Sequence, residues 1–356
     1  MIKFIELHNK DTKSENIRRI CGLDLIRVCA IFFVIAGHFF ICNTEFLRTP
    51  FKGISMFIQA TIISVFYVSV PLFMMLTGYL NINKTPTKKY YIGMLRVLIA
   101  YLFFSIITIL FRIYYLGEEL SIIQWIGKIL RYSAIQYAWY IEMWIGLALL
   151  TPFLNYLWKA IPTTRHKLLL IGTLFVMTSI PDFCNRYTHY LVPGYFTQAC
   201  YPLMFYFIGT FIREYQPTIK YWFGWIIILS ISLVTPLYNT LMFSGDKIIY
   251  HIAGNPGGVF YTWIAVAIFL MLYRKDIEFP AVKKWITHCS MVSLEMYLCC
   301  YIFDQLYYPW FKEHYFVSQS QFLPWFFVIV PLVFFSSYIV ATLYNSIRNL
   351  LKRNKQ

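Results

Sequence analysis

Long apolar runs alternate with short polar segments along almost the whole chain. The runs cover 22–42, 56–80, 92–112, 137–158, 167–181, 196–213, 221–241, 257–273, 286–308 and 323–347. Most of them reach the roughly 20 residues that a helix needs to cross a bilayer, although 167–181 is short and 196–213 is marginal. Residues 119–136 instead have the pattern of an amphipathic helix lying on the membrane surface. The pattern predicts an all-α polytopic membrane protein with about ten transmembrane helices.

Basic residues are distributed unevenly among the segments that connect these runs. Lys and Arg are concentrated before the first run and in every second connection after it, whereas the intervening connections hold few. Because cytoplasmic segments are enriched in Lys and Arg, this alternation predicts ten spans with both termini in the cytoplasm. We therefore expect a cytoplasmic tail over 1–20, a transmembrane domain over 21–347 and a second cytoplasmic tail over 348–356.

Composition indicates that lipid is the main solvent of the chain. Hydrophobic residues make up 59% of the 356 residues and charged residues only 13%, about half the share that is usual in soluble domains. The formal net charge of +15 raises the question of nucleic acid. The charges lie between apolar runs, however, so a bilayer accounts for them and no nucleic-acid partner is expected. None of the eight cysteines forms a CxxC pair, so no metal site is expected.

The first apolar run contains three ionisable residues, which are expensive inside a membrane and therefore candidates for function. Asp24 and Arg27 are three residues apart, so they share a helix face and are expected to pair. His38 follows Arg27 by eleven residues, which returns to nearly the same face about 16 Å further along the helix. Two interpretations remain open: a structural ion pair with a separately bonded histidine, or a cationic inner mouth leading to a proton-transfer group.

The segment over 18–38 resembles the opening of the acyltransferase family 3 membrane proteins, whose first span carries an arginine, ten residues and a histidine. Arg27 and His38 fit that spacing. Weaker similarities follow in the expected order at 71–80, 138–147 with Thr151 and Pro152, 206–209 and 293–298. The resemblance implies a transmembrane acyltransferase domain over 21–347. It also implies transfer of an acyl group, usually acetyl, from acyl-coenzyme A to a hydroxyl of a cell-surface glycan or its lipid-linked precursor.

The chain departs from the family pattern at two positions. An Arg-x-x-Arg pair is common at the start of the third span, but here Gly93 stands at the first of these positions and only Arg96 remains. A histidine often ends the late Tyr-Leu motif, and here Cys300 takes its place. The first departure affects the expected donor-binding geometry, and the second removes one candidate polar group.

An acyl-coenzyme A donor carries phosphates, which Arg and Lys bind well. The candidate donor-binding residues are Arg27, Arg96, Lys88 and Lys89, all at the inner ends of the first three spans. For Lys88 and Lys89 the alternative is that they are ordinary positive-inside residues.

Two further acids lie in predicted spans. Glu142 follows Trp139 by three residues and could orient His38 or bind an acceptor hydroxyl, and Glu295 lies in the ninth run. The alternative is that each acid pairs with a buried arginine or is protonated. The candidate catalytic residues are therefore His38, Glu142 and Asp24.

The predicted location is the cell (inner) membrane. A second interpretation is a transporter or flippase for a lipid-linked glycan or small solute, since polar residues at mid-membrane suit that function too. A repeat of the first half in the second, which many transporters have, is not visible in the sequence. A third interpretation is an inactive relative that serves assembly of a glycan machine, for which the two departures leave room.

Overall fold

The computed structural model describes residues 19–184, 198–242 and 256–353. Within these ranges the chain forms thirteen α-helices and two short 3₁₀ turns, and no β-strand. The helices are α1 (Cys21–Ile41), α2 (Gly53–Phe66), α3 (Ser69–Asn81), α4 (Lys88–Tyr114), α5 (Ile122–Leu130), α6 (Trp139–Ala160), α7 (Thr164–Cys184), α8 (Tyr201–Tyr215), α9 (Tyr221–Met242), α10 (Val259–Leu272), α11 (Pro280–Met291), α12 (Ser293–Tyr315) and α13 (Gln319–Arg353). Most of the predicted N-terminal tail, 1–18, and residues 354–356 lie outside the described ranges. The all-helical prediction is confirmed.

Several helices are long and apolar enough to cross a bilayer. Five spans meet both conditions: α1, α2 joined to α3, α4, α6 and α13. The pair α11–α12 makes a sixth if its 74° bend is counted within one span. Helices α9 and α10 contribute only shorter apolar stretches, Tyr221–Val234 and Val259–Leu272. The chain is thus a multi-pass membrane protein, and the full count of ten spans and the cytoplasmic termini stay predictions.

Helix α1 lies at the centre of the bundle and contacts α2, α3, α10, α11, α12 and α13. Its sequence is apolar on nearly every face, which is the pattern of a helix surrounded by other helices. On one side Phe39 and Phe40 pack against Phe326 of α13. On another side Ile26 belongs to the core formed with α3, α8 and α10. This central position holds the polar residues of α1 inside the protein.

Two glycines allow α3 and α8 to cross in close contact. A Cβ on Gly78 would lie 1.9 Å from the carbonyl oxygen of Tyr206, and one on Gly209 would lie 2.0 Å from that of Met75. Small residues at such crossings let backbones approach, which is a common means of association between membrane helices. The crossing fixes α3 beside α1.

Two spans are interrupted where they reach the centre of the protein. Tyr67 and Val68 separate α2 from α3, and Val292 separates α11 from α12 at the 74° bend. Tyr67 and Ser293, beside these breaks, both line the same internal cavity. The predicted surface segment over 119–136 contains α5, whose Ile122 and Ile123 are exposed while Trp125 is buried.

Candidate active site

Two connected cavities lie beside α1. The first, called here the His38 cavity, has a volume of about 610 Å³ and is lined mainly by aromatic and aliphatic side chains around His38. The second, called here the basic cavity, has a volume of about 970 Å³. Arg27, Leu80, Val97, Ser293 and Leu294 line both. The two cavities therefore meet at the level of Arg27.

His38 lies in the last turn of α1, and its side chain is 12% exposed. Its ring stacks on Tyr137, with 3.6 Å between the ring centroids. Asn43 donates a hydrogen bond of 3.0 Å to the His38 carbonyl, which secures the end of the helix. Nδ1 of His38 is buried, has no hydrogen-bond partner among the residues that the structure describes, and lies 3.6 Å from Oδ2 of Asp304. Nε2 is thus the ring nitrogen left for the cavity.

Asp304 and Tyr137 form the wall behind the histidine. The Tyr137 hydroxyl donates a hydrogen bond of 2.8 Å to Oδ2 of Asp304, which is fully buried on α12. The Tyr297 hydroxyl, also on α12, donates to the Tyr137 carbonyl. Asn43 donates to the Tyr137 hydroxyl at 3.3 Å. The connection between α5 and α6 is therefore fixed against α12 and the end of α1.

Arg27 projects from α1 at the junction of the cavities. It donates a hydrogen bond of 2.9 Å to the Ser290 hydroxyl and lies 3.8 Å from Asp24. The predicted Asp24–Arg27 pair forms, but Arg19 makes the shorter contact with Asp24, at 2.6 Å. Ser290 also donates to Asp24, at 2.6 Å. The hydrogen bond to Asp24 raises the pKa of Arg19. Arg19 is thus the closer partner of Asp24, and Arg27 pairs with the same carboxylate at longer range.

The basic cavity has an excess of positive charge. Its lining contains six basic side chains and two acidic ones: Arg19, Arg27, Lys84, Arg96, Arg213 and Arg348, with Asp24 and Glu295.

Contacts from other helices hold two of these basic side chains and the connection that carries a third. Asn155 of α6 donates to the Lys84 carbonyl at 2.8 Å, which fixes the α3–α4 connection. The Arg213 guanidinium lies over the Tyr79 ring, 5.2 Å from its centroid. Glu295 is 1% exposed and pairs with Arg348 at 3.3 Å, so this acid does pair with an arginine, one of the alternatives that the sequence left open. The arrangement suits a ligand that carries several negative charges.

The other residues singled out by sequence lie in different surroundings. Arg96 lines the basic cavity. Lys88 and Lys89 are the exposed first residues of α4 and do not line it.

Glu142 is exposed on α6 and lines neither cavity. The His38 cavity is lined from α6 by residues such as Tyr140 and Trp144. Trp139, which shares a helix face with Glu142, also lines this cavity, but Glu142 itself lies outside it and is exposed.

Sequence reasoning missed Asp304, although the rule that flagged Asp24 applies to it equally. Asp304 lies inside the apolar run 286–308, and an acid within a span is a functional candidate by default. It also missed Arg213 and Arg348, which lie at the ends of predicted spans, where positive-inside residues are common. Their convergence on one cavity depends on helix packing and has no local signal.

Over the described residues, the fold and the site define a multi-pass, all-helical membrane protein with a largely enclosed histidine in a cavity that adjoins a basic cavity. The family model described as an acyltransferase domain matches residues 21–342. The chain belongs to this family of membrane acyltransferases, as the first-span motif predicts. Neither the comparison with curated proteins nor that with solved structures found a match.

Proposed function

We propose that the protein is a membrane O-acyltransferase. It would move an acyl group, with acetyl as the expected group, from acyl-coenzyme A to a hydroxyl of a cell-surface glycan or its lipid-linked precursor. The observation that carries the proposal is that the basic cavity and the His38 cavity adjoin and share Arg27 in their linings. Membership of the acyltransferase family supports the reaction class.

The donor occupies both cavities in this proposal. Its phosphates bind in the basic cavity, where Arg27 and Arg96 are the main contacts and Lys84 and Arg213 add positive charge. Arg27 and His38 are eleven residues apart on one helix, or about 16 Å along its axis. The extended pantetheine arm of coenzyme A is long enough to carry the thioester from Arg27 to His38. Its apolar stretches suit the aromatic lining of the His38 cavity.

His38 acts as the general base. The acceptor hydroxyl attacks the thioester carbonyl, and its proton passes to Nε2 of His38 as the new C–O bond forms. The C–S bond then breaks, and the same proton passes to the departing thiolate, which leaves as free coenzyme A. A thioester is already activated, so positioning and proton transfer are the main demands on the protein.

The acceptor approaches from the end of the His38 cavity opposite Arg27. Trp139, Tyr140 and Tyr201 line the cavity and offer ring faces against which a sugar can pack. In the proposed topology, with ten spans, both termini in the cytoplasm and the cell membrane as the location, the basic cavity opens to the cytoplasm.

The test is His38→Ala in isolated membranes supplied with radiolabelled acetyl-coenzyme A and extracted surface glycan. We expect acetyl transfer per unit of protein to fall roughly 100-fold or more. The matched control is His166→Ala, since His166 is exposed at the start of α7. Undiminished transfer by the His38 variant would contradict the proposal. Uptake of a labelled glycan lipid into vesicles, without acyl modification, would favour a transporter.

A further inference from the structure

We propose that Asp304 is a positioning residue that holds His38 with its proton on Nδ1, so that Nε2 faces the substrates. The inference rests on the proposed role of His38 as the base. Asp304 itself touches no reacting atom.

The geometry around Nδ1 supports this role. Nδ1 of His38 and Oδ2 of Asp304 face each other across 3.6 Å, and Nδ1 is buried without a hydrogen bond. A displacement of a few tenths of an ångström would bring the pair within hydrogen-bond distance. Such contacts are often long in a free enzyme and tighten when substrates bind. A carboxylate can only accept from Nδ1, so the contact selects the tautomer in which Nε2 is free to take a proton.

The charge of Asp304 has no other local compensation. Asp304 is fully buried, and among the described residues no Lys or Arg lies within 4 Å of it. Within the described part of the chain, its Oδ1 atom has no hydrogen-bond partner, and Oδ2 accepts only from Tyr137. A buried carboxylate of this kind is expensive in a membrane unless it serves a function. When His38 takes the acceptor's proton it becomes a cation next to this carboxylate, which stabilises it. The proton stays on His38 and returns to the thiolate, so Asp304 is unchanged over the reaction.

A structural role for Asp304 is the competing explanation, because its clear hydrogen bond is to Tyr137. In that case Asp304 serves to hold the connection between α5 and α6. Tyr137→Phe separates the two explanations, since it removes the hydroxyl and its bond to Asp304 and keeps the ring that stacks on His38. If Asp304 acts through His38, removal of the Asp304 carboxylate lowers kcat far more than removal of the Tyr137 hydroxyl does.

The experiment compares Asp304→Asn, Asp304→Glu and Tyr137→Phe in the full-length protein, with kcat and KM for acetyl-coenzyme A measured across pH. For Asp304→Asn we expect kcat to fall roughly 100-fold or more with KM within about twofold. The acidic limb of the pH–rate profile should also move to lower pH, because imidazolium loses its neighbouring negative charge. Asp304→Glu should recover part of kcat, and Tyr137→Phe should lose less than about tenfold. The matched control is Glu313→Gln, an exposed acid on the same helix.

A change in the pH–rate profile has to be attributed to one of the titratable groups near His38. These are Cys42, Tyr137, Tyr297, Cys300, Asp304 and Tyr308. Asp304 is the one carboxyl group among these six residues.

Three results would overturn the inference: wild-type kcat and pH profile in Asp304→Asn, equal losses in Asp304→Asn and Tyr137→Phe, or no recovery in Asp304→Glu. If Asp304→Asn fails to accumulate in membranes, the kcat of Asp304→Glu is compared with that of Tyr137→Phe instead. Equal losses of kcat in these two variants would overturn the inference in the same way. An active His38→Ala variant would instead remove the proposed function itself. An inactive His38→Ala with a fully active Asp304→Asn would remove the positioning role alone.

Discussion

In the proposed function Arg27 has a structural role and a donor-binding role, and different contacts serve the two. Its hydrogen bond to Ser290 ties α1 to α11, while Arg19 provides the shorter contact with Asp24. Because both cavities include Arg27 in their lining, a donor that spans them has to pass its guanidinium. A planar, permanently charged group suits a phosphate at such a position better than a flexible ammonium.

We expect Arg27→Gln to raise KM for acetyl-coenzyme A about 10- to 100-fold, because a hydrogen bond to a charged group contributes roughly 1.5–3 kcal/mol. Arg27→Lys should restore the KM only in part, since the bidentate geometry of the guanidinium is lost. Steady-state kinetics in membranes with varied donor measure both. Arg165→Gln, at an exposed position on α7, is the control. A KM within twofold of wild type in Arg27→Gln would show that the donor binds elsewhere.

A second expectation concerns the basic residues of α4, which differ in their position relative to the basic cavity. Arg96 lines the basic cavity, whereas Lys88 and Lys89 do not. Arg96→Gln should therefore raise the donor KM more than Lys88→Gln does. Equal effects, measured in the same kinetic assay, would mean that the donor phosphates extend beyond the basic cavity.

The residue scale also shows what local pattern can and cannot predict. The Asp24–Arg27 pair and the common stripe of Arg27 and His38 follow from helix periodicity alone, since both are properties of one helix. The contact between His38 and Asp304 joins residues 266 positions apart, and it needs the packing of α12 against α1. The exposed position of Glu142 likewise depends on which side of α6 faces inward.

Among the elements, α3 and α8 cross with a glycine of each helix against the backbone of the other. The Cβ positions of Gly78 and Gly209 would lie within about 2 Å of opposing carbonyl oxygens, at 1.9 and 2.0 Å. Backbone cannot yield as a side-chain tip can, so any larger residue forces the helices apart. Leu80 of α3 lines both cavities, so the crossing bears on the site as well as on stability.

Gly209→Leu is expected to lower the thermal stability of the detergent-solubilised protein and to reduce its amount in membranes. Overpacking of a tight contact typically costs about 1–3 kcal/mol, or more where backbone must move. Gly93→Ala is the matched control, because nothing lies within 4 Å of a Cβ built there on α4. An unchanged melting temperature for Gly209→Leu would contradict close packing of α3 against α8 at Gly209.

The connection after α1 is tied to α12 by an ion pair that responds to pH. Lys312 donates a hydrogen bond to Glu45 that lowers the pKa of this carboxyl below its ordinary value of 4.5. A lowered folded-state pKa contributes stability above the unfolded-state pKa, and that stability is lost as the pH falls through the folded-state pKa. The contribution is small because Glu45 is 34% exposed.

Glu45→Gln should therefore reduce the loss of melting temperature that wild type suffers as the pH falls from about 4.5 downward. Differential scanning fluorimetry in detergent measures this difference. Glu119→Gln, at an exposed position between α4 and α5, should leave the pH dependence as in wild type. Parallel curves for wild type and Glu45→Gln would rule out the ion pair as a pH-sensitive contact.

Periodicity and hydropathy predict most helices because each long apolar run must satisfy its own backbone in lipid. They predict only the second half of α11, as the start of the run 286–308, since the first half of Pro280–Met291 carries two lysines. They also read α2 and α3 as one continuous span, although Tyr67 and Val68 interrupt it. Where a helix is interrupted depends on what surrounds its backbone. Here the break between α2 and α3 and the bend between α11 and α12 both lie beside the His38 cavity.

At the scale of the whole molecule, the two ends of α1 lie in regions of different charge. Lys84, Arg213 and Arg348 gather at the basic cavity, whereas the end of α1 near His38 meets the Glu45–Lys312 contact. The alternation of Lys and Arg in the sequence predicts that the basic end faces the cytoplasm. Coenzyme A is then needed on one side of the bilayer only.

Sealed vesicles of known orientation test this sidedness. Inside-out vesicles should consume externally added acetyl-coenzyme A at once, because the basic cavity then faces the medium. Right-side-out vesicles should do so only after permeabilisation. The control is a vesicle preparation that contains the inactive His38→Ala protein. Equal consumption by intact vesicles of both orientations would contradict the proposed topology.

The position of Arg27 where the cavities meet has a consequence for the energy supply of the cell. A hydrated path from the cytoplasm to His38 would threaten the electrochemical gradient, since protons and sodium ions could leak along it. The guanidinium of Arg27, which lines both cavities, sets up an electrostatic barrier to cations. The charge that attracts an anionic donor would thus also insulate the membrane against leakage while the site is empty.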